Sequence, residues 1–302
     1  MWDEASYGEE VMRVDEKDWR ELVREAADRL TAAGVDSARV DAEWLACEVA
    51  GVDRARLAFA PPPGPDAVRR FRDMVAARAA RRPLQHVIGT APFWRRDLAV
   101  GQGVFIPRPE TELLVEWALP RLAGTRRPVV VDLCAGSGAL ASAVMTERSD
   151  ARVFAVEAEP AALHWLRRNL AVGAEVVEGD ATSPETLREL DGRVDLVLTN
   201  PPYVPEGTPV SPEVAADPAT AVFGGPDGLD VIRPLVHRVA ALLRPGGNVA
   251  IEHDDTHGEA VPALLVAAGL DDVVAHRDLS GRPRFATARR AGDPGGPAGP
   301  TA

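Results

Sequence analysis

What most restricts the folding of this chain is a succession of short apolar runs that begins at Val129, each of strand length and each breaking into polar or glycine residues. They fall at residues 129–134, 152–157, 175–179, 194–199, 248–253, 271–277 and 284–289. The fourth, Val194-Asp195-Leu196-Val197-Leu198-Thr199, reads as a buried strand. Only Leu279-Ser280-Gly281-Arg282-Pro283 separates the last two, so they form an antiparallel hairpin added to a parallel sheet. The expectation is an open α/β sheet of seven strands. Such sheets bind ligands in the crevice beyond the carboxyl ends of their strands.

The residues at those carboxyl ends carry the chemical signal. The first run passes through Cys134-Ala135-Gly136-Ser137-Gly138 into a helix, and glycines there let the backbone approach a bound nucleotide closely. Ser142 stands where the full dinucleotide fingerprint has its third glycine, so this turn alone is a weak signal. The second run ends in Glu157, about twenty residues past the turn, where an acid accepts hydrogen bonds from ribose hydroxyls. No basic residue follows immediately to hold a phosphate. The third run leads into Gly179-Asp180-Ala181. Asp180 either receives the exocyclic amine of an adenine or is a solvated turn residue.

The fourth run delivers Asn200-Pro201-Pro202-Tyr203. Two successive prolines stiffen the backbone and lack N–H groups, which leaves the Pro201 carbonyl without a ladder partner. An Asn side-chain oxygen and a neighbouring carbonyl can together accept both hydrogens of an NH2 group, which suits modification of an amide or amino nitrogen. Taken alone, the tetrapeptide is also readable as a strand ending in a Pro-rich turn, with Tyr203 as a core aromatic beneath it.

Upstream the periodicity is helical. Leu22, Val23, Ala26 and Leu30, then Val40, Ala42, Leu45, Ala46 and Val49, recur at helical spacing with a break at Ala33-Gly34-Val35-Asp36-Ser37. After Pro61-Pro62-Pro63-Gly64-Pro65, residues 66–80 form another amphipathic helix. These predict a small helical domain over residues 1–82, with an acidic, flexible stretch at 1–17. Residues 83–108 hold short β-like pieces and form a linker. Glu110–Leu122 reads as the helix that enters the larger domain, residues 109–290, and the Gly/Pro-rich residues 291–302 read as a disordered tail.

In this order the elements resemble the S-adenosylmethionine-dependent methyltransferases of the Rossmann-like class, with the Asn-Pro-Pro-Tyr motif of the branch that methylates planar NH2 nitrogens. The match extends beyond the cofactor core. Arg82-Pro83-Leu84-Gln85-His86-Val87-Ile88-Gly89, Phe93, and Pro107-Arg108-Pro109-Glu110-Thr111-Glu112-Leu113-Leu114-Val115 are similar to the linker and approach helix of the release-factor glutamine methyltransferase family, HemK/PrmC. Phe223-Gly224-Gly225-Pro226-Asp227-Gly228-Leu229-Asp230 and Asp278-Leu279-Ser280-Gly281-Arg282-Pro283-Arg284 fit the same family. The resemblance runs from Trp19 to Ala288, and it is the run of motifs in fixed order that makes it specific.

The resemblance implies a Rossmann-like, seven-stranded methyltransferase domain preceded by a small helical domain. It implies transfer of methyl from S-adenosylmethionine to the side-chain N5 of the glutamine in the Gly-Gly-Gln motif of peptide chain release factors. Cys134, Ala135, Gly136, Ser137, Gly138, Glu157, Asp180, Ala181 and Asn200 are then the expected cofactor residues. Asn200, Pro201, Pro202 and Tyr203 are the expected catalytic ones, with the helical domain docking the protein substrate. The family often carries Gln where His257 stands.

Bulk properties limit the alternatives. With 34 Lys+Arg against 46 Asp+Glu, the net charge of -12 argues against a broad phosphate-tracking surface, hence against nucleic acid as a direct partner. An adenine-N6 methyltransferase of DNA or RNA would use the same acceptor pair and is the competing enzyme reading. A non-catalytic paralogue that only docks translation factors is disfavoured by the intact Asn200 motif. Cys47 and Cys134 are too few and too far apart for a disulfide framework, and no run reaches the length of a membrane span, so a cytoplasmic enzyme is expected. His253-Asp254-Asp255-Thr256-His257 departs from the H-E-x-x-H metal pattern, and no metal is expected.

Overall fold

The computed structural model describes residues 18–292. The extension expected over 1–17 lies outside them, as does the tail expected over 291–302 apart from Ala291 and Gly292. The chain divides into two compact units, one ending at Ile88 and the other beginning at Gly89.

The first unit is helical. Helix α1 (Trp19–Ala32) starts where Asp18 accepts a 2.8 Å hydrogen bond from Glu21 N, an N-cap that satisfies one otherwise unpaired donor. It packs with α2 (Ala38–Ala50) and α3 (Pro65–Ala79) around Leu22, Leu30, Leu45 and Phe71, all within 2% of full burial. A buried ion pair, Arg78 Nε to Asp41 Oδ2 at 2.7 Å, ties α3 to α2. The linker expected over 83–108 opens differently, with a short helix α4 (Leu84–Ile88). Its Leu84, Val87 and Ile88 pack on the helical core.

The second unit opens with an antiparallel hairpin, β1 (Thr90–Phe93) and β2 (Arg96–Ala99). The helix expected over Glu110–Leu122 is divided: a 3-10 turn at Pro109–Thr111, helix α5 (Glu112–Ala118), then a 3-10 turn at Leu119–Leu122. Pro109 and Pro120 are the reason, since neither can donate to an intrahelical bond.

Seven strands follow, interleaved with helices: β3 (Val129–Leu133), α6 (Ala139–Glu147), β4 (Arg152–Glu157), α7 (Pro160–Asn169), β5 (Ala174–Glu178), β6 (Val194–Thr199), α8 (Ala219–Val222), α9 (Ile232–Leu242), β7 (Leu243–Glu252), α10 (Ala260–Ala267), β8 (Leu270–Arg277) and β9 (Pro283–Arg290). The sheet order is β5-β4-β3-β6-β7-β9-β8. Strands β3 to β7 are parallel, while β9 runs antiparallel to both β7 and β8. Strand β7 begins five residues earlier than its apolar run, because Leu243 pairs with Val194 and a register shift carries the ladder past Pro245-Gly246-Gly247.

Both faces of the sheet are covered, which is why its central strands are apolar at consecutive positions. Val130, Val153, Ala155, Leu196 and Leu198 face α5, α6 and α7. The alternate residues Val131, Phe154, Val156 and Val197 face α9 and α10. The chain leaves β3 toward β4 on one side and reaches β6 on the other, so the crevice beyond β3 is the point where the strand order reverses.

Candidate active site

A cavity lies at that reversal, lined by Asp132, Cys134, Ala135, Gly136 and Ser137 at and after the end of β3, Glu157 at the end of β4, Asp180 and Ala181 after β5, and Asn200 and Pro202 after β6. The turn after β3 is left-handed at Cys134 (φ 59°), Gly136 (55°) and Gly138 (84°). Glycine takes such angles without penalty and Cys134 does not. Two side chains hold the turn in place. Glu157, 9% exposed, accepts from Gly136 N at 2.8 Å through Oε2, and from Ala158 N and Glu159 N at 2.9 Å through Oε1. Asn169 at the end of α7 donates to Ser137 O at 2.9 Å.

Asp132 is the most perturbed acid in the cavity. It is 2% exposed, its Oδ2 accepts from Ala141 N at 2.9 Å, and its Oδ1 has no hydrogen-bond partner among the described residues. Burial, reinforced by the charge of Glu157 and only partly opposed by the Ala141 bond, pushes its pKa up to about 8. The same burial, with Glu157 and Asp132 as neighbours, raises the Cys134 thiol far above its ordinary range, so it is no nucleophile. Asp180 accepts from Thr182 N at 2.8 Å and from Thr182 Oγ1 at 2.7 Å, both on Oδ1. The turn reading of Asp180 is therefore realised on one oxygen, and Oδ2 has no partner among the described residues.

Asn200 enters the cavity directly after β6. Its Nδ2 donates to Thr111 Oγ1 at 3.2 Å, which turns Oδ1 away from Thr111 as an acceptor. Pro201 is buried and Pro202 half-buried. Tyr203 packs partly against the core on the α9 side, and its hydroxyl donates to Glu252 Oε1 at 2.9 Å. Neither Pro201 nor Tyr203 lines the cavity, and Gly138 does not either. A Cβ on Gly138 would lie 2.8 Å from Leu166 Cδ1, so that glycine admits α7 rather than a ligand.

The loop Gly224–Asp230 braces the motif from behind. A Cβ on Gly224 would come within 2.6 Å of the Pro202 carbonyl oxygen, and one on Gly228 would overlap that of Tyr203. Val204 N donates to Val222 O at 2.9 Å and Gly224 N to Val204 O at 3.0 Å. Over the other side, Asp217 accepts from Ile106 N at 3.3 Å and pairs with Arg108, joining two segments that flank the cavity through Phe105, Pro107 and Pro218.

Two family models match, the PrmC N-terminal domain over residues 21–89 and the Methyltransferase small domain over residues 109–217. Full-length similarity goes further. The release factor glutamine methyltransferase of Mycolicibacterium smegmatis is 54% identical over 274 residues, which cover 90% of this chain and 97% of the relative. The chain belongs to the release factor glutamine methyltransferase family. Members from Mycobacterium tuberculosis H37Rv and Streptomyces coelicolor are 49% and 48% identical, over 90% and 89% of this chain and 92% and 97% of theirs. The fold has a distant counterpart in the hMettl16 catalytic domain, solved with the MAT2A 3′UTR hairpin 6, at a TM-score of 0.52 and 14% identity over 76% of this chain and 83% of that one.

For this member of the release factor glutamine methyltransferase family, sequence reasoning overlooked Thr111, Asp132 and Glu252. Thr111 sits in a stretch that reads as part of the helix entering the larger domain, and only the tertiary fold brings it to Asn200. Glu252 had a usable signal, an acid closing an apolar strand, the same pattern that singled out Glu157. The histidine pair serves packing. His257 Nε2 lies 2.9 Å from Asp227 O, holding the glycine loop, and His253 Nδ1 lies 2.8 Å from Asp254 O. Among the described residues no cluster of three or more His, Cys, Asp or Glu is arranged to hold a metal ion. Cys47 and Cys134 are both free thiols.

Proposed function

We propose that this methyltransferase transfers a methyl group from S-adenosylmethionine to the side-chain N5 of the glutamine in the Gly-Gly-Gln motif of peptide chain release factors. The observation that carries the reading is Asn200, tied through Nδ2 to Thr111 so that Oδ1 is available as an acceptor at the cavity. S-adenosylmethionine, when bound, supplies a methyl already activated by its sulfonium. The protein's task is then to orient a poor nucleophile, since the lone pair of a carboxamide nitrogen is delocalised into its C=O. Asn200 Oδ1, at the cavity wall, accepts one N–H of the amide and turns the nitrogen's face toward the methyl, with the carbonyl of the adjoining buried Pro201 as the second acceptor once the substrate is in place. Those hydrogen bonds strengthen as positive charge develops on nitrogen. No strong general base is needed, because the proton is acidic once the methyl has transferred and leaves to water.

The acceptor set fits the cofactor. A carboxylate has about four lone-pair sites, and Glu157 uses three on backbone N–H groups, which leaves one for a ribose hydroxyl. Asp180 Oδ2 is the acceptor for an adenine amine, with Ala181 beside it. Cys134, Ala135, Gly136 and Ser137 wrap the remaining part, and Gly138 lets α6 start close behind them.

We infer that the helical unit docks the release factor. Its exposed Trp44 and Phe59, 46% and 88% accessible, supply apolar contact of the kind protein partners use. The net charge of -12 favours a protein substrate over nucleic acid. Among the described residues no helix is long and apolar enough to cross a membrane, in keeping with a cytoplasmic enzyme acting on translation factors. Mass spectrometry of release factors incubated with the enzyme and labelled S-adenosylmethionine should show one methyl on the glutamine of Gly-Gly-Gln. Label appearing on adenine of added DNA or RNA, with none on the factor, would replace this reading by the nucleic-acid one.

A further inference from the structure

Four residues from four parts of the chain, Thr111, Tyr203, Glu252 and Arg284, lie around Asn200 and its neighbours. Thr111 ends the 3-10 turn before α5 and is 3% exposed; Glu252 is the last residue of β7 and is fully buried. Strands β6 and β7 are parallel with Thr199 opposite Ile251, so Asn200 and Glu252 leave the sheet side by side. Asn200 Nδ2 donates to Thr111 Oγ1, and Tyr203 Oη donates to Glu252 Oε1. Glu252 Oε2 has no hydrogen-bond partner among the described residues. Arg284, on the neighbouring strand β9 and held by Asp278 at 3.1 Å, contributes positive charge from the far side.

The chemical problem is one of polarity. The two ends of an Asn amide are nearly alike in shape, so only partners decide which end faces the substrate. A hydroxyl cannot decide alone, because it donates or accepts equally well. A carboxylate accepts only. If the Thr111 proton is directed to Glu252, Thr111 can only accept from Asn200, which must then present Nδ2 to it and Oδ1 to the substrate amide. The same carboxylate accepts from the Tyr203 hydroxyl, which keeps Glu252 anchored on its other oxygen.

We propose that Glu252 is a positioning residue that acts through Thr111 to lock the hydrogen-bond polarity of Asn200, so that Nδ2 stays on Thr111 and Oδ1 faces the substrate amide. This rests on the proposed role of Asn200 as acceptor for the substrate amide. Burial raises the pKa of Glu252, and the Thr111 and Tyr203 hydroxyls and Arg284 work against that rise. Thr111 makes no hydrogen bond to Glu252 among the described residues, and the unpartnered Glu252 Oε2 is the acceptor to which its proton would turn. An acid kept in such a place without serving polarity would be replaced at little cost by its neutral isostere.

The test uses the full chain, intact release factor and labelled S-adenosylmethionine. Glu252→Gln keeps the shape but places an NH2 donor in the relay, which frees the Thr111 proton to turn to Asn200 and the Asn200 amide to flip. Its kcat should fall roughly thirtyfold or more, because the acceptor is lost only in the transition state. Its KM for the factor and its calorimetric affinity for the cofactor should stay within about threefold, and its Tm should not fall, since a buried charge has been removed. Thr111→Val should lose kcat to a similar degree, Thr111→Ser should restore most of that loss, and the double variant should be no slower than the slower single one. The relay is overturned by wild-type kcat in Glu252→Gln, by losses that multiply in the double variant, or by a kcat loss that tracks lost cofactor affinity and Tm. Should Glu252→Gln not fold, the Thr111→Val and Thr111→Ser pair decides: rescue by serine supports the relay, and equal rates in the two variants sink it. Asn200→Ala separates the two levels. If it is active, the acceptor role itself fails; if it is inactive while Glu252→Gln is active, only the relay fails.

Discussion

Replacing Gly228 by alanine tests how tightly the loop Gly224–Asp230 holds the Asn-Pro-Pro-Tyr backbone. Gly228 has φ +76°, and a Cβ there would overlap the Tyr203 carbonyl oxygen and lie 2.8 Å from His257 Cε1. The left-handed angle alone costs an alanine about 1–2 kcal/mol. Overpacking against backbone adds about 1–3 kcal/mol, because a carbonyl cannot swing aside as a flexible side chain would. The sum is about 2–5 kcal/mol, and each kcal/mol moves the midpoint of a unit this size by about 2–4 °C. Relief requires the Tyr203 carbonyl to retreat by about 1 Å, and a displacement of that size at an active site costs about a hundredfold in rate. Gly269 provides the control, with φ +79° and nothing within 4 Å of an added Cβ. Gly269→Ala should lose about 1–2 kcal/mol and keep its turnover. Thermal unfolding and single-turnover methyl transfer on both variants decide the matter. If Gly228→Ala matches Gly269→Ala in Tm and retains wild-type turnover, the loop is not a brace and the contact reasoning is wrong.

Glu157→Ala should weaken cofactor binding by about 1.5–3 kcal/mol through loss of charge-assisted hydrogen bonds, and unchanged affinity by calorimetry in a folded variant would remove Glu157 from the site. Asn200→Ala should slow methyl transfer at least about a hundredfold with the fold intact; wild-type turnover would end the acceptor-pair model. Asp132 has its pKa raised to about 8 by burial, so the folded protein holds this proton more tightly than the unfolded chain. Its stability contribution is complete below the usual Asp range, about pH 4, and is lost as pH rises through 8. Asp132→Asn should therefore flatten the decline of Tm between these limits, and a variant whose Tm falls with pH as steeply as the wild type would show that Asp132 ionises normally.

The sequence by itself determined the architecture, because burial on both faces of a parallel sheet demands continuous apolar runs, and the central strands β3, β4 and β6 show up as such, while the edge strand β5 is interrupted by Glu175. It also placed the residues of the proposed site. Cys134–Gly138, Glu157, Asp180 and Asn200 end consecutive strands, and parallel strands carry their ends to one edge. Proline and glycine obscured the details: Pro109 and Pro120 divided an apparent single helix, and Pro245-Gly246-Gly247 hid the first half of β7. Only the tertiary structure decided what faces what. Tyr203 turns to the core because Glu252 lies beside it in a neighbouring strand, and Gly138 meets Leu166 rather than the cavity. Thr111 reaches Asn200 across 89 positions of sequence, and no local pattern encodes that contact. Periodicity reports which side of an element is buried. The partner that satisfies a buried polar atom is set by the packing of separate elements, and it is there that the polarity of the Asn200 amide is fixed.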